Sequence, residues 1–207
     1  NQTNCRTEYI ITMENGTEKW VLEQGEVIYN ILGEVEALEG LIIDINSQKR
    51  KQEEIEYLSY HDHLTGIYNR IYFDQQVQRF DHPLYYPVSI IIGDINGLKF
   101  LNDALGHQEG DKIIQTTARL LGESIPEGTI LARTGGDEFS ILMPNTNSNK
   151  AYKLLQRINN YLADYNNSLP SDAYKINLAL GYATKNSVNA EFSSIYKLAE
   201  DHMYKRK

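Results

Sequence analysis

The 207-residue sequence has little cysteine and proline, no long hydrophobic run, and a deficit of positive charge. Its one cysteine, Cys5, cannot form an internal disulfide, which is typical of proteins from a reducing compartment such as the cytoplasm. The net charge of −8 lacks the basic footprint of a nucleic-acid-binding protein. No apolar stretch approaches the roughly 18 residues of a transmembrane helix. The hydrophobic share of 41% is normal for a globular chain and excludes disorder as the dominant state.

The first residues carry neither a signal-peptide pattern nor an initiator Met, so we expect a piece of a longer protein. Residues 1–46 are predicted to form an antiparallel β segment, in which Asn15-Gly16 is a favoured hairpin turn. Three or four strands without a helix make a poor independent core, so this segment needs a packing partner, which is either missing sequence or another chain. The strand signals run over residues 7–13, 19–22, 27–32 and 35–45.

Residues 47–60 change character, because they are highly charged, free of Gly and Pro, and good helix formers. Ser47 is a candidate N-cap. Ile55 and Leu58 give a thin apolar stripe. The stripe fits either a solvated linker helix or a short coiled coil between two chains. A pattern of fewer than two heptads is too short to distinguish these two structures.

From residue 61 the pattern alternates between helix and strand, which predicts an α/β (α+β) fold with helices against one mixed parallel and antiparallel sheet. Residues 88–92 (VSIII) are continuously apolar and predict a central buried strand. Residues 150–165 carry an apolar stripe that includes Tyr161. The other predicted helices are 68–80, 110–125 and 195–207, and the other strands are 129–132, 138–143 and 176–183.

The strongest local feature is the run RTGGDEF at residues 133–139. Two glycines between two strands predict a tight hairpin whose turn needs positive φ. Asp137 and Glu138 follow at once, and neighbouring strand residues point to opposite faces, so the two carboxylates should have different roles. The alternative is a merely polar hairpin tip.

A second feature is Asp94, which ends the buried apolar strand. A carboxylate there is costly unless it has a partner, and Mg²⁺ is the natural one because it prefers hard oxygen ligands. Asp94 and Asp137 on adjacent strands could share such an ion. Lys99 could reach a phosphate as a point charge, or could be a solvated surface lysine.

A third feature is the polar, glycine-containing run at residues 102–111, between a strand and a helix. Asp111 could belong to a functional site in this run, or it could be an N-terminal helix residue that the helix dipole favours. A single histidine such as His107 is more often a structural hydrogen-bonding residue than a ligand.

Together these runs resemble the GGDEF family, the diguanylate cyclases, whose signature is spelled by Gly135-Gly136-Asp137-Glu138-Phe139. The other family motifs follow in family order and extend the resemblance over about residues 60–207. They are DHLTGIYNR at 62–70, DINGLK at 94–99, ND at 102–103, GHQEGD at 106–111, LGYA at 180–183 and AEDHMYKRK at 199–207.

The resemblance implies a fold similar to nucleotidyl cyclases and polymerase palms, with a central sheet flanked by helices. It implies that two GTP molecules are joined into cyclic di-GMP with loss of two pyrophosphates. The partners implied are GTP and a second copy of the chain, with a homodimer formed through facing GGDEF domains and the linker helix. The alternative is a catalytically inactive GTP-binding module that regulates a neighbouring domain.

The resemblance also implies roles for particular residues. Asp94, the backbone carbonyl of Ile95 and Asp137 would bind Mg²⁺, with Mn²⁺ as a substitute. Asp137 or Glu138 would assist deprotonation of the attacking hydroxyl. The substrate residues implied are Asn102 and Asp111 for the guanine edge, His107 nearby, and Lys99 and Lys207 for the phosphates.

This chain departs from the family pattern at several positions. Asn96 replaces the usual second Asp, Leu98 replaces the usual Phe, and Thr134 replaces an aromatic residue, but none of these removes an expected catalytic group. The family's next phosphate-binding Arg would follow Lys207, so we expect the 61–207 domain to lack its C-terminal end. The product-inhibition tetrad of many relatives, Arg-x-x-Asp, falls on residues 126–129 (PEGT), where Arg and Asp are both missing.

Residues 1–46 resemble the C-terminal half of a PAS sensor domain. The similarity rests on residues 16–21 (GTEKWV), Gly25 and residues 40–45 (GLIIDI), followed by a Lys- and Glu-rich helix. Because the front half of such a domain, with much of any ligand pocket, is missing, we expect no bound cofactor in this segment.

Overall fold

A computed structural model of the chain describes residues 4–171 and 173–205. The chain divides into two compact units, with the boundary after Tyr57. Across the described residues, no helix combines the length and the apolar character needed to span a lipid bilayer.

The N-terminal unit contains a three-stranded antiparallel sheet with β2 in the centre. The predicted Asn15-Gly16 turn joins the first two strands, and Gly16 adopts a φ of 79°. The runs predicted separately at 19–22 and 27–32 belong to one strand, which continues through Gly25. The strands are β1 (Asn4–Thr12), β2 (Glu18–Tyr29) and β3 (Val35–Asp44).

The predicted linker helix is present as α1 (Asn46–Tyr60). It begins at Asn46, whose side-chain Oδ1 accepts a hydrogen bond from Trp20 N at 2.9 Å, so the N-cap expected at Ser47 is wrong. Lys49 in the first turn pairs with Glu8 at 2.6 Å and lies over the Trp20 ring. The predicted apolar stripe is solvent-exposed, with Ile55 at 58% and Leu58 at 61%.

The C-terminal unit is a five-stranded sheet in the order β4-β6-β7-β5-β8. The β4 and β6 strands are parallel and all other neighbours are antiparallel, as predicted for a mixed sheet. The strands are β4 (Tyr68–Asn69), β5 (Val88–Ile95), β6 (Ile130–Arg133), β7 (Glu138–Met143) and β8 (Leu178–Lys185). The helices are α2 (Arg70–Phe80), α3 (Leu98–Leu105), α4 (His107–Ser124), α5 (Ser148–Ser168) and α6 (Phe192–Tyr204), with a short 3₁₀ helix at Pro83–Tyr85.

The β5 strand is buried along its whole length, which confirms the prediction of a central strand. Its side chains alternate between two hydrophobic cores, as strand geometry requires. Ile91 and Ile95 pack with residues of α3, α4 and α5. Ile90 and Ile92 pack with residues of α2 and α6. The sheet therefore carries helices on both faces, and its strand ends are held rigidly.

The structure departs from the sequence-based expectations at several points. The run at 102–111, expected between a strand and a helix, belongs to α3 and to the start of α4 instead. The α3 helix is not among the predicted elements, because it is only eight residues long, contains Asn102-Asp103 and is flanked by Gly97 and Gly106. The helix predicted at 68–80 begins at residue 70, and the two residues before it form β4. Tyr161 does not join the buried stripe of α5, because its hydroxyl donates a hydrogen bond to Glu123 at 2.7 Å on the surface.

Candidate active site

The GGDEF run forms the predicted hairpin between β6 and β7. The backbone N–H groups of Thr134 and Gly135 both donate to Glu138 O, at 3.0 and 3.4 Å. The expectation of positive φ is wrong, since neither Gly135 nor Gly136 adopts it. Gly135 matters for another reason, because a Cβ there would lie 2.6 Å from Glu138 Oε2 and would displace this side chain. The missing side chain therefore lets the Glu138 carboxylate lie over the turn.

The residue before the glycines is buried, although it is a threonine in place of the family's usual aromatic residue. Thr134 Oγ1 lies 2.9 Å from Ser140 Oγ, in hydrogen-bonding distance. This hydroxyl pair explains how the hairpin accommodates a polar residue at position 134.

The hairpin lies against the end of β5, where the first predicted metal ligand is found. Asp94 is 5% exposed and is paired in register with Glu138. Ile95 N donates to Asp137 O at 3.0 Å. The structure thus brings residues 94, 95, 137 and 138 to one end of two adjacent strands, as the sequence predicts.

The electrostatics of this strand end are dominated by carboxylates. Burial raises the pKa of Glu138, and the negative charges of Asp137, Asp94 and Glu200 raise it further. Arg70 at the start of α2 acts in the opposite direction and lowers the pKa. Concentrated negative charge around a buried carboxylate favours a bound cation.

The donor set at the strand end fits a small hard cation. Across the described ranges 4–171 and 173–205, no group of three or more His, Cys, Asp and Glu side chains is placed to hold a metal ion. Mg²⁺ needs no such cage, because it keeps several waters and binds through one or two carboxylates plus substrate phosphates. The carboxylates of Asp94 and Asp137 and the carbonyl of Ile95 match that requirement.

The predicted substrate residues lie on the hairpin of helices α3 and α4. Lys99 is exposed in the first turn of α3, and His107 and Asp111 are exposed near the start of α4. Asn102 Oδ1 is buried and accepts no hydrogen bond from any described residue. It packs directly against Gly110, where a Cβ would lie only 1.8 Å away, so Gly110 is needed for this close approach. Lys207 lies outside the described residues.

A charged contact links two of the motifs, and the two residues that form it are not among the predicted site residues. Arg133, directly before the hairpin turn, donates from Nη1 to both oxygens of Asp62, at 3.1 and 3.2 Å. The same guanidinium donates to Gly136 O from Nη2 at 2.7 Å and from Nε at 3.1 Å. Arg133 therefore fastens the signature turn to the loop that precedes β4. No local sequence pattern pairs Arg133 with Asp62, which lies 71 positions earlier in the chain.

Asp62 is held in its charged form. Partial burial raises its pKa, but hydrogen bonds from Thr65 and Arg133 and the guanidinium charge lower the pKa below its ordinary value. Thr65 Oγ1 donates to Asp62 Oδ1 at 2.6 Å, and Thr65 N donates to the same oxygen at 3.0 Å. The carboxylate is thus saturated with donors from two chain segments.

Comparisons with known proteins agree with this geometry. The sequence profile of the family described as "Diguanylate cyclase, GGDEF domain" matches residues 59–207. The probable diguanylate cyclase DgcT of Escherichia coli K12 is 30% identical over 153 residues, which cover 72% of this chain and 34% of DgcT. Diguanylate cyclase DgcM of the same strain is 29% identical over 171 residues, 81% of this chain and 40% of DgcM. This chain thus spans less than half the length of these relatives.

The fold is shared with solved structures. The coiled coil and GGDEF domain of DgcB from Caulobacter crescentus, solved in complex with c-di-GMP, superimposes with a TM-score of 0.69 at 22% identity. The superposition covers 77% of this chain and 86% of DgcB. With the family profile, the hairpin and the adjacent acidic strand end in agreement, this chain belongs to the GGDEF diguanylate cyclase family.

Proposed function

We propose that this protein is an active diguanylate cyclase, which condenses two GTP molecules into cyclic di-GMP and two pyrophosphates. One observation carries the proposal above all: the complete signature turn lies against the β5 end that carries the buried Asp94.

The metal-binding residues in this proposal are Asp94, Asp137 and the carbonyl of Ile95. They would hold Mg²⁺, or Mn²⁺ in its place. A cation bound there neutralises phosphate charge, which is the main requirement of phosphoryl transfer.

The chemistry consists of two equivalent displacements. Each 3′-oxygen forms a bond to the α-phosphorus of the other GTP, and the bond from that phosphorus to pyrophosphate breaks. Asp137 or Glu138 accepts the hydroxyl proton. Lys99, and Lys207 beyond the described residues, would contact the phosphates as point charges.

Guanine recognition is assigned to the α3–α4 hairpin. Asp111 can accept hydrogen bonds from the N1–H and N2–H donors of guanine, and the Asn102 amide can donate to an acceptor of the base. His107 lies in the first turn of α4, near these residues in the sequence.

The proposed assembly is a homodimer in which two GTP-loaded domains face each other. The exposed Ile55 and Leu58 on α1 support this helix as a pairing element. Residues 1–46 would belong to a PAS sensor that controls the cyclase from upstream, and the enzyme would work in the cytoplasm, where GTP is available.

The test is product analysis after incubation with GTP and Mg²⁺. We expect cyclic di-GMP from the unaltered protein and no measurable turnover from Asp137→Ala. The control variant Asp164→Ala changes an exposed aspartate on α5 and should keep full turnover. GTP binding without cyclic di-GMP would instead indicate an inactive GTP-binding module, and near-normal turnover of Asp137→Ala would contradict the site assignment.

A further inference from the structure

The turn between β5 and α3 is hydrogen-bonded to the segment that leads into β8. Asn96 N donates to Asn177 O at 2.8 Å, and Asn96 Nδ2 donates to Asn177 Oδ1 at 3.1 Å. Tyr174 OH donates to Asn96 O at 3.3 Å. Three bonds from two residues thus hold a single turn residue.

This segment is itself fixed to α5. Asn166 Nδ2 donates to Ile176 O at 2.8 Å, and Ile176 N donates to Asn166 Oδ1 at 2.9 Å. Ile176 is 3% exposed and belongs to the core that α3, α4 and α5 share. The residue next to Asn177 is therefore anchored, so that Asn177 is a rigid point of attachment for Asn96.

The turn at Asn96 separates the two halves of the proposed site. Asp94 and Ile95 precede it, while Lys99 and Asn102 follow in the first turns of α3. Gly97 begins the helix with a φ of 75°, and a Cβ there would lie 3.3 Å from Tyr174 OH. A rotation of this turn would consequently move both halves of the site relative to each other.

The turn also contains a buried acceptor. Asn96 Oδ1 is shielded from solvent and takes no hydrogen bond from any residue that the structure describes. Buried acceptors are normally satisfied, so this one calls for a partner outside the described residues, such as a water molecule, an ion or a ligand.

We propose that Asn96, Asn177 and Tyr174 form a brace that positions the first turn of α3 for GTP binding. The inference rests on the proposed function, and it extends the site to the segment before β8. These three are positioning residues, because they act through Lys99 and Asn102 rather than on the reacting atoms.

The paired side-chain amides of Asn96 and Asn177 allow a test in which each single variant is a control for the double variant. Asn177→Asp still offers an acceptor to the Asn96 amide, and Asn96→Asp still offers one to the Asn177 amide after that amide flips. The double variant Asn96→Asp/Asn177→Asp has two acceptors and no donor between them. Each single variant carries one of the two added charges, so it measures the effect of that charge alone. Any excess in the double variant reports the lost amide contact together with the repulsion between the two carboxylates that replaces it.

The readouts are calorimetric binding of 3′-deoxy-GTP, which lacks the attacking hydroxyl, and hydrogen–deuterium exchange of residues 97–102 without nucleotide. We expect the double variant to bind 3′-deoxy-GTP about 10–100-fold more weakly than the unaltered protein, by analogy with the loss of groups that orient metal-coordinating side chains. Each single variant should lose much less. Among the Asn96 and Asn177 variants, exchange at 97–102 should be faster in the double variant only. Asn159→Asp/Asn160→Asp on the exposed face of α5 is the control with the same added charge.

The proposal is overturned if the two single effects simply add, or if exchange at 97–102 is unchanged in the double variant. If the unaltered protein fails to bind 3′-deoxy-GTP, the proposed function is contradicted, while the exchange measurement still decides whether the brace exists. Tyr174→Phe removes only a hydroxyl from an exposed ring, so it keeps the fold. It should also speed exchange at 97–102, and unchanged exchange would remove Tyr174 from the brace.

Discussion

Replacing Asp62 with asparagine is expected to destabilise the C-terminal unit and to slow turnover. The variant keeps the shape of the side chain but removes the charge that faces Arg133 at 3.1 and 3.2 Å. The two side chains are only 16% and 13% exposed, so solvent screens the pair poorly. This contact is therefore worth more than an ordinary surface ion pair.

The expected loss of unfolding free energy follows from the number and burial of the hydrogen bonds that Asp62 accepts. Hydrogen bonds to charged groups contribute about 1.5–3 kcal/mol, and breaking a fully buried ion pair costs about 3–5 kcal/mol. Because the Asp62–Arg133 pair retains some exposure and Thr65 still donates to the asparagine oxygen, we expect the lower range, about 1.5–3 kcal/mol. For a unit of about 150 residues this lowers Tm by roughly 3–12 °C.

The effect on turnover follows from the second contact of Arg133. Its guanidinium also holds Gly136 O, so loss of Asp62 frees the group that fixes the signature turn. We expect kcat to fall about 10-fold, the cost of roughly 1.4 kcal/mol in the barrier. Thermal unfolding by circular dichroism and cyclic di-GMP production test both effects, with Asp164→Asn as the exposed control. Unchanged Tm and kcat would refute the assigned role of Arg133.

The loss of stability in Asp62→Asn should also depend on pH. The pKa of Asp62 is lowered on folding, so its carboxylate contributes stability that is present above its unfolded pKa and is lost as pH falls through the folded pKa. The difference in unfolding free energy between the unaltered protein and Asp62→Asn should shrink below about pH 4. A difference that stays constant down to low pH would show that the charge is not responsible.

Four further outcomes follow from the structure. Gly135→Ala should lower turnover more than Gly136→Ala, because only the first Cβ would meet the Glu138 side chain and displace its carboxylate; equal losses of kcat would contradict this. GTP should bind more tightly than ATP, because a site built to hydrogen-bond guanine leaves polar groups unpaired with adenine, and equal calorimetric Kd values would refute the base-reading role of the α3–α4 hairpin. Specific activity should rise with protein concentration, and a flat profile from a species that light scattering shows to be monomeric would rule out facing domains. Micromolar cyclic di-GMP should not inhibit through residues 126–129, which offer neither Arg nor Asp; tight product binding lost on mutating this turn would overturn that expectation.

The elements that periodicity predicts well are those whose packing repeats along the sequence. The continuous apolar run of β5 and the stripe of α5 are long enough to signal their burial, and both are confirmed. The α3 helix escapes prediction because eight residues give little more than two turns, and only Leu98 and Leu101 are buried. Short helices that are stabilised by their neighbours leave almost no periodic signal.

The site residues divide in the same way. Some are brought together by features that the local sequence shows, and others are far apart in the sequence and meet only in the folded chain. Asp94 and Asp137 could be placed together because the ends of a buried strand and a neighbouring hairpin are readable from sequence. The contact of Arg133 with Asp62 spans 71 positions, and nothing in the local pattern pairs those two residues.

Buried charge away from the site is equally hard to foresee. Lys185 at the end of β8 is 2% exposed and is paired with Asp81, which also accepts a hydrogen bond from Tyr86 at 2.5 Å. A lysine at the end of a strand is ordinarily expected in solvent. Only the three-dimensional pairing with Asp81, 104 positions away, makes its burial tolerable.

The central claim is that this chain makes cyclic di-GMP from GTP, and phosphorus NMR of a reaction with GTP and Mg²⁺ tests it most directly. The account predicts that the GTP signals disappear while cyclic di-GMP and pyrophosphate appear, with two pyrophosphates for each cyclic dinucleotide. Unchanged GTP, or its conversion to GDP and inorganic phosphate, would contradict the account.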